Sequence, residues 1–92
     1  MDHFPTGRQI AAARVLLGIT QASLASMARI SVPTLKRMEA CNGPAQGMPN
    51  NVAAIQSALE DAGVIFIPEN GNGSGVRLRD KIDATAEGAD QE

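Results

Sequence analysis

The chain has 92 residues, a net charge of −2 and 43% apolar residues, which fits one small globular domain with a thin core and excludes wholesale disorder. Phe4 and Phe66 are its only aromatic residues, too few for the stacking platforms that hold single-stranded nucleic acid. Cys41 is the only cysteine and His3 the only histidine, so neither an internal disulfide nor a zinc site is expected.

The opening MDHFPTGRQI lacks the apolar run of a signal peptide, and no stretch approaches transmembrane length, so a cytoplasmic protein without a membrane role is expected. Ile10, Ala13 and Leu17 recur at helical spacing and predict a first helix over 6–17, capped by Thr6 and stopped by Gly18. Thr20 caps a second helix whose inward residues are Leu24, Ala25 and Ala28. Ser31 caps a third, in which Pro33 falls in the first turn, where its missing N–H is harmless, and Leu35 and Met38 form the buried face. The segment CNGPAQGMPN, rich in Gly and Pro, reads as a loop. Val52, Ile55, Leu59 and Ala62 then mark a fourth helix over 51–62, ended by Gly63.

After Gly63 the period changes. VIFI at 64–67 is β-branched and aromatic, VRLR at 76–79 alternates, and PENGNGSG between them is made of turn formers, so a β-hairpin is predicted. Both faces of 64–67 are apolar, and a lone two-stranded ribbon is marginal in water. The hairpin is therefore expected to bury its second face against another subunit, with Val64, Ile65, Phe66, Ile67, Val76 and Leu78 as interface residues. Beyond position 80 the chain is acidic and aperiodic and reads as a disordered tail.

Charge is unevenly spread. Residues 1–48 carry Arg8, Arg14, Arg29, Lys36 and Arg37 against Asp2 and Glu39, a net +3. Residues 80–92 carry Lys81 against Asp80, Asp83, Glu87, Asp90 and Glu92, a net −4. The half that holds the first three helices is thus the basic half.

That half contains RVLLGITQASLASMARISVPTLKRME at 14–39, two short helices about a tight turn, with Thr34, Lys36 and Arg37 on the outward side of the second. This is the layout of a helix-turn-helix, which places one helix in the DNA major groove. The order and spacing of Arg14, Gly18, Thr20-Gln21, Leu24-Ala25, Ala28, Ile30-Ser31, Thr34, Leu35 and Glu39 resembles the lambda-repressor/Cro type, or XRE family. The resemblance covers roughly the first half of the chain. It implies a mainly α, four-helix DNA-binding domain over 1–63, with the helix-turn-helix at about 20–41 and the recognition helix at 31–41. The hairpin at 64–79, for dimerisation, and the acidic tail at 80–92 follow.

The resemblance also implies roles. Arg14 and Glu39 form an ion pair joining the first helix to the end of the third. Gln21 bonds a DNA phosphate at the start of helix 2, where the helix terminus adds positive potential, and props a side chain of the recognition helix. Val32, Pro33 and Arg37 reach base edges, Arg37 through guanine O6 and N7, Val32 and Pro33 at most through a thymine methyl. Thr34 and Lys36 hold phosphate or a neighbouring base. Ala25 keeps two helices close, and Ile30 plugs the core from the turn. Arg29 stands where related sequences commonly place Gly in a left-handed conformation, at a cost of about 1 kcal/mol. Either the turn tolerates it or Arg29 contacts phosphate. The basic loop residues that often follow the third helix are replaced by neutral Asn42, Ala45 and Gln46.

Other signals are bland. GNGSG lacks the Gly-Lys-Ser/Thr of a phosphate loop, Cys41 is expected to be a buried or inert thiol, and His3 lies in a terminus expected to fray. No carboxylate pair or triad is evident, so neither an enzyme nor a cofactor is expected. A fourth helix followed by a GV-F-IP-ENG hairpin resembles short bacterial regulators of the same family. The expected function is a homodimeric, sequence-specific double-stranded-DNA-binding regulator, most simply a repressor acting at a palindromic operator. The alternatives are a DNA-binding antitoxin whose hairpin or tail captures a protein partner, and an interaction module that no longer binds DNA.

Overall fold

The computed structural model describes residues 5–45 and 47–80. These form four helices, α1 (Gly7–Leu17), α2 (Gln21–Ala28), α3 (Val32–Glu39) and α4 (Pro49–Asp61), followed by strands β1 (Val64–Ile67) and β2 (Gly75–Leu78) in one antiparallel sheet. His3, Phe4, Gln46 and the acidic segment 81–92, expected from sequence to be a frayed start, part of a loop and a disordered tail, lie outside the described residues.

Capping chemistry sets the helix boundaries. Thr6 Oγ1 accepts the Gln9 N–H at 3.0 Å while Gln9 Oε1 accepts the Thr6 N–H at 2.8 Å, a reciprocal box that satisfies two donors at once. Thr20 and Ser31 cap α2 and α3 through the N–H groups of Ser23 and Thr34. α1 and α2 end by the same left-handed step. The N–H groups of Gly18 and Arg29 return to the carbonyls of Val15 and Ser26, and those of Ile19 and Ile30 to Arg14 and Ala25. Each isoleucine then packs against the core. Gly18 makes the step at φ 72° with no Cβ to strain, and Arg29 makes it at φ 61° with one.

α4 begins at Pro49, earlier than the predicted position 51, because proline suits a first helical residue. It ends at Asp61, so Ala62 is its exposed C-cap rather than the last member of the inward stripe.

Every helix contributes to one core: Ile10 and Ala13 from α1, Leu24 and Ala25 from α2, Leu35 and Met38 from α3, Val52, Ile55 and Leu59 from α4. Leu17 and Ala28, predicted inward, are half-buried at its edge. α1 starts hard against the end of α3, since a Cβ at Gly7 would collide with the backbone of Met38 and Cys41. The loop after α3 is tied alongside by Gly7 N–H to the Gly43 carbonyl at 3.2 Å and Ala45 N–H to the Pro5 carbonyl at 3.0 Å.

The hairpin pairs Val64 with Leu78, Ile65 with Arg77, Phe66 with Val76 and Ile67 with Gly75. Its second strand starts at Gly75, one residue before the predicted alternating run. Val64, Phe66, Val76 and Leu78 lie on the face that packs against the helices, leaving Ile65, Ile67 and Arg77 on the other. At its loop end Gln9 Nε2 donates to the carbonyls of Ile67 at 3.2 Å and Gly75 at 2.8 Å, fastening the sheet to α1.

Candidate functional site

α3 is an eight-residue helix with two unlike sides. Leu35 and Met38 are fully buried, and Val32 packs partly against the same core. Pro33, Lys36 and Arg37 are exposed, and Thr34 is half-buried. Of the three residues expected to reach base edges, Pro33 and Arg37 therefore stand on the outward side, whereas much of Val32 is committed to packing. Ser31 Oγ donates to Thr34 Oγ1 at 2.8 Å, and Arg37 Nη2 donates to the same oxygen at a long 3.4 Å. The guanidinium rests on its own helix by a weak contact that a stronger acceptor can replace.

Behind this face lies a polar cluster. Arg14, in the last turn of α1, grips Glu39, in the last turn of α3, in fork geometry: Nε to Oε2 at 2.8 Å and Nη2 to Oε1 at 3.1 Å. Arg14 Nη1 also donates to the Ile19 carbonyl at 3.2 Å, so the guanidinium braces the turn between α1 and α2 as well. The side chains of Arg14 and Glu39 retain only 20% and 8% of their exposure, so this is a largely desolvated pair. Gln21, the first residue of α2, donates from Nε2 to Glu39 Oε1 at 2.9 Å. Three of the residues singled out from sequence thus meet at one carboxylate. The resemblance implies a contact from Gln21 to a side chain of α3, but nothing in the spacing names Glu39 as the partner, because the two residues lie eighteen apart on different helices.

Arg29 sits in the turn between α2 and α3, exposed and left-handed. Together with Lys36 and Arg37 it makes the turn and outward side of α3 basic, and the cations in the last turn of α3 also complement the helix dipole. Cys41, half-buried just past α3, donates its thiol to the Arg37 carbonyl at 3.4 Å.

The proposed interface residues of the hairpin divide. Val64 is 2% exposed and packs into the core of the single chain, so it has little surface left to bury against a partner. Phe66, Val76 and Leu78 are half-buried on the same side. Only Ile65 and Ile67 face away from the helices, Ile67 at 37% exposure.

Among the described residues no group of three or more His, Cys, Asp or Glu gathers as a metal site, no buried side-chain nitrogen or oxygen lacks a hydrogen-bond partner, and no single helix is long and apolar enough to cross a membrane. No protein-family model matches this chain, and neither does any curated protein.

Proposed function

We propose that this chain is a homodimeric, sequence-specific double-stranded-DNA-binding regulator of the lambda-repressor/Cro type, acting in the cytoplasm without enzymatic activity or cofactor. The observation that carries the reading is the two-sided α3. Its Leu35/Met38 side is locked into the core, and its Pro33, Lys36 and Arg37 side is exposed and basic. The Arg14–Glu39 pair holds the helix end from behind.

In this reading α3 lies in the major groove. Arg37 exchanges its weak contact with Thr34 for guanine O6 and N7, a bidentate contact worth about 1–3 kcal/mol of discrimination. Gln21, Thr34 and Lys36 hold the backbone and set the register. With few cations behind α3, one copy grips weakly, so two copies presenting their helices about 34 Å apart to a palindrome supply affinity and specificity together. Occupying a promoter in this way represses by blocking polymerase.

Half-buried Ile65 and exposed Ile67, on the face of the sheet turned away from the helices, are the self-association surface. The same face, where Ile65 and Ile67 lie beside exposed Arg77, also favours a second reading, an antitoxin that binds DNA through α3 and a protein partner through the hairpin. Selection of duplexes from a random oligonucleotide pool tests the proposal: enrichment of a palindrome supports it, and recovery of no common sequence at low salt sinks it. Co-purification of an unrelated protein of fixed stoichiometry selects the second reading over the first.

A further inference from the structure

Glu39 Oε1 receives two donors, Arg14 Nη2 at 3.1 Å and Gln21 Nε2 at 2.9 Å, while Oε2 receives Arg14 Nε at 2.8 Å. We infer that Glu39 is the positioning residue that orients the Gln21 side chain for the DNA backbone, an inference that rests on the DNA-binding reading above.

An ionised carboxylate only accepts hydrogen bonds, so it admits the Gln21 carboxamide one way round, with nitrogen inward and oxygen away. One N–H is spent on Glu39, and the second is left for another acceptor. A phosphate oxygen is likewise an acceptor only, and a carboxamide can meet it only through nitrogen. The orientation that Glu39 imposes is therefore the one that leaves an N–H for phosphate.

The surroundings serve the same end. Gln21 and Ala22 open α2, where backbone N–H groups have no partner within the helix, and Thr20 Oγ1 is already engaged by Ser23. A phosphate arriving there meets the Gln21 side chain and the helix terminus together. Glu39 by itself would repel that phosphate, and the two-pronged contact with Arg14 offsets its charge. With only 8% of its side chain exposed, Glu39 is also fixed in place, so the glutamine it holds need not be ordered when DNA binds. Arg14 neutralises, Glu39 orients and Gln21 makes the contact.

A merely structural Glu39 would lower stability without linking its effect to Gln21. The test is a double-mutant cycle on the full chain, using duplex DNA that the wild-type protein selects from a random pool. Arg14→Met with Glu39→Met removes the acceptor without orphaning a charge, and Gln21→Ala is made in this background and in wild type. Gln21→Ala is expected to weaken binding about tenfold in wild type and less than about twofold in the Met background.

Equal losses in both backgrounds, or no loss in wild type, overturn the inference and leave DNA binding standing. Failure of the wild-type protein to select any duplex overturns both. A second measurement needs no variant to fold: in the free wild-type chain the Gln21 side-chain N–H vectors are expected to show an NMR order parameter above about 0.6, and a lower value removes the positioning role.

Discussion

Arg14 and Glu39 meet in two parallel hydrogen bonds of 2.8 and 3.1 Å, tying the last turn of α1 to the last turn of α3. Because the pair is mostly removed from water, deleting one partner strands the other. Arg14→Ala is predicted to cost about 3 kcal/mol, the low end for buried pairs, since a fifth of its side chain is still exposed. Replacing both residues by Met is predicted to cost under about 1 kcal/mol. Urea denaturation of the two proteins checks this, and a double replacement as damaging as the single one would contradict it.

Arg29 repeats the helix-ending step of Gly18 while carrying a side chain, at φ 61° against 72°. Arg29→Gly removes the Cβ strain, partly offset by the greater freedom of glycine in the unfolded chain. The predicted net gain is below about 1 kcal/mol, with a melting temperature higher by a few degrees. An unchanged or lower melting temperature would show that the strain at Arg29 does not exceed the entropy that glycine adds to the unfolded chain. The same variant sorts the two readings of Arg29. A phosphate contact lowers the salt slope of DNA binding by about 2, one for each copy in the dimer, and a tolerated turn residue leaves it unchanged.

Gln9 serves α1 and the sheet at once, accepting from Thr6 N–H and donating to the carbonyls of Ile67 and Gly75. Gln9→Glu keeps the shape and the acceptor but turns a donor into a second acceptor facing two carbonyl oxygens. The predicted cost is about 2–3 kcal/mol at neutral pH, and amide exchange in β2 is expected to quicken more than exchange in α4. Uniform quickening through the chain would mean that Gln9 does not fasten the hairpin.

Self-association is assigned to the outward face of the sheet, and its test avoids the residues that hold the monomer together. Phe66 packs against the core, so a charge there would unfold the hairpin and any dimer with it. Ile65→Lys with Ile67→Lys alters the other face. Sedimentation is predicted to give dimers for wild type and folded monomers for the variant. Folded dimers of the variant would place the interface elsewhere.

Much of this fold was legible because its boundaries are written in local chemistry. Thr6, Thr20 and Ser31 are good caps, Gly18 is a good stop, and the inward stripes of α1 to α4 follow helical spacing with Ala62 as the exception. The left-handed turn at Arg29 was also readable, from the position that glycine usually holds. What escaped depends on contacts between distant segments. Gly7 looks like any glycine until the backbone of Met38 and Cys41 is found against it. Gln9 reads as a polar helix residue, although Thr6 three positions earlier spells half of a capping box. For the candidate site, spacing marked Arg14, Gln21 and Glu39 separately, but nothing in it joins Gln21 to Glu39. The alternation of VIFI could not say which of its two apolar faces the helices would take.

Arg37 bears the central claim, that the exposed side of α3 reads base edges. The direct measurement is titration of the selected duplex and an unrelated duplex with wild-type protein and with Arg37→Ala at one fixed salt concentration. Because each half-site loses one bidentate contact, Arg37→Ala is predicted to lose about 2–6 kcal/mol on the selected duplex, roughly 30- to 25,000-fold, and far less on the unrelated one. Equal affinity of the two proteins for the selected duplex would contradict it.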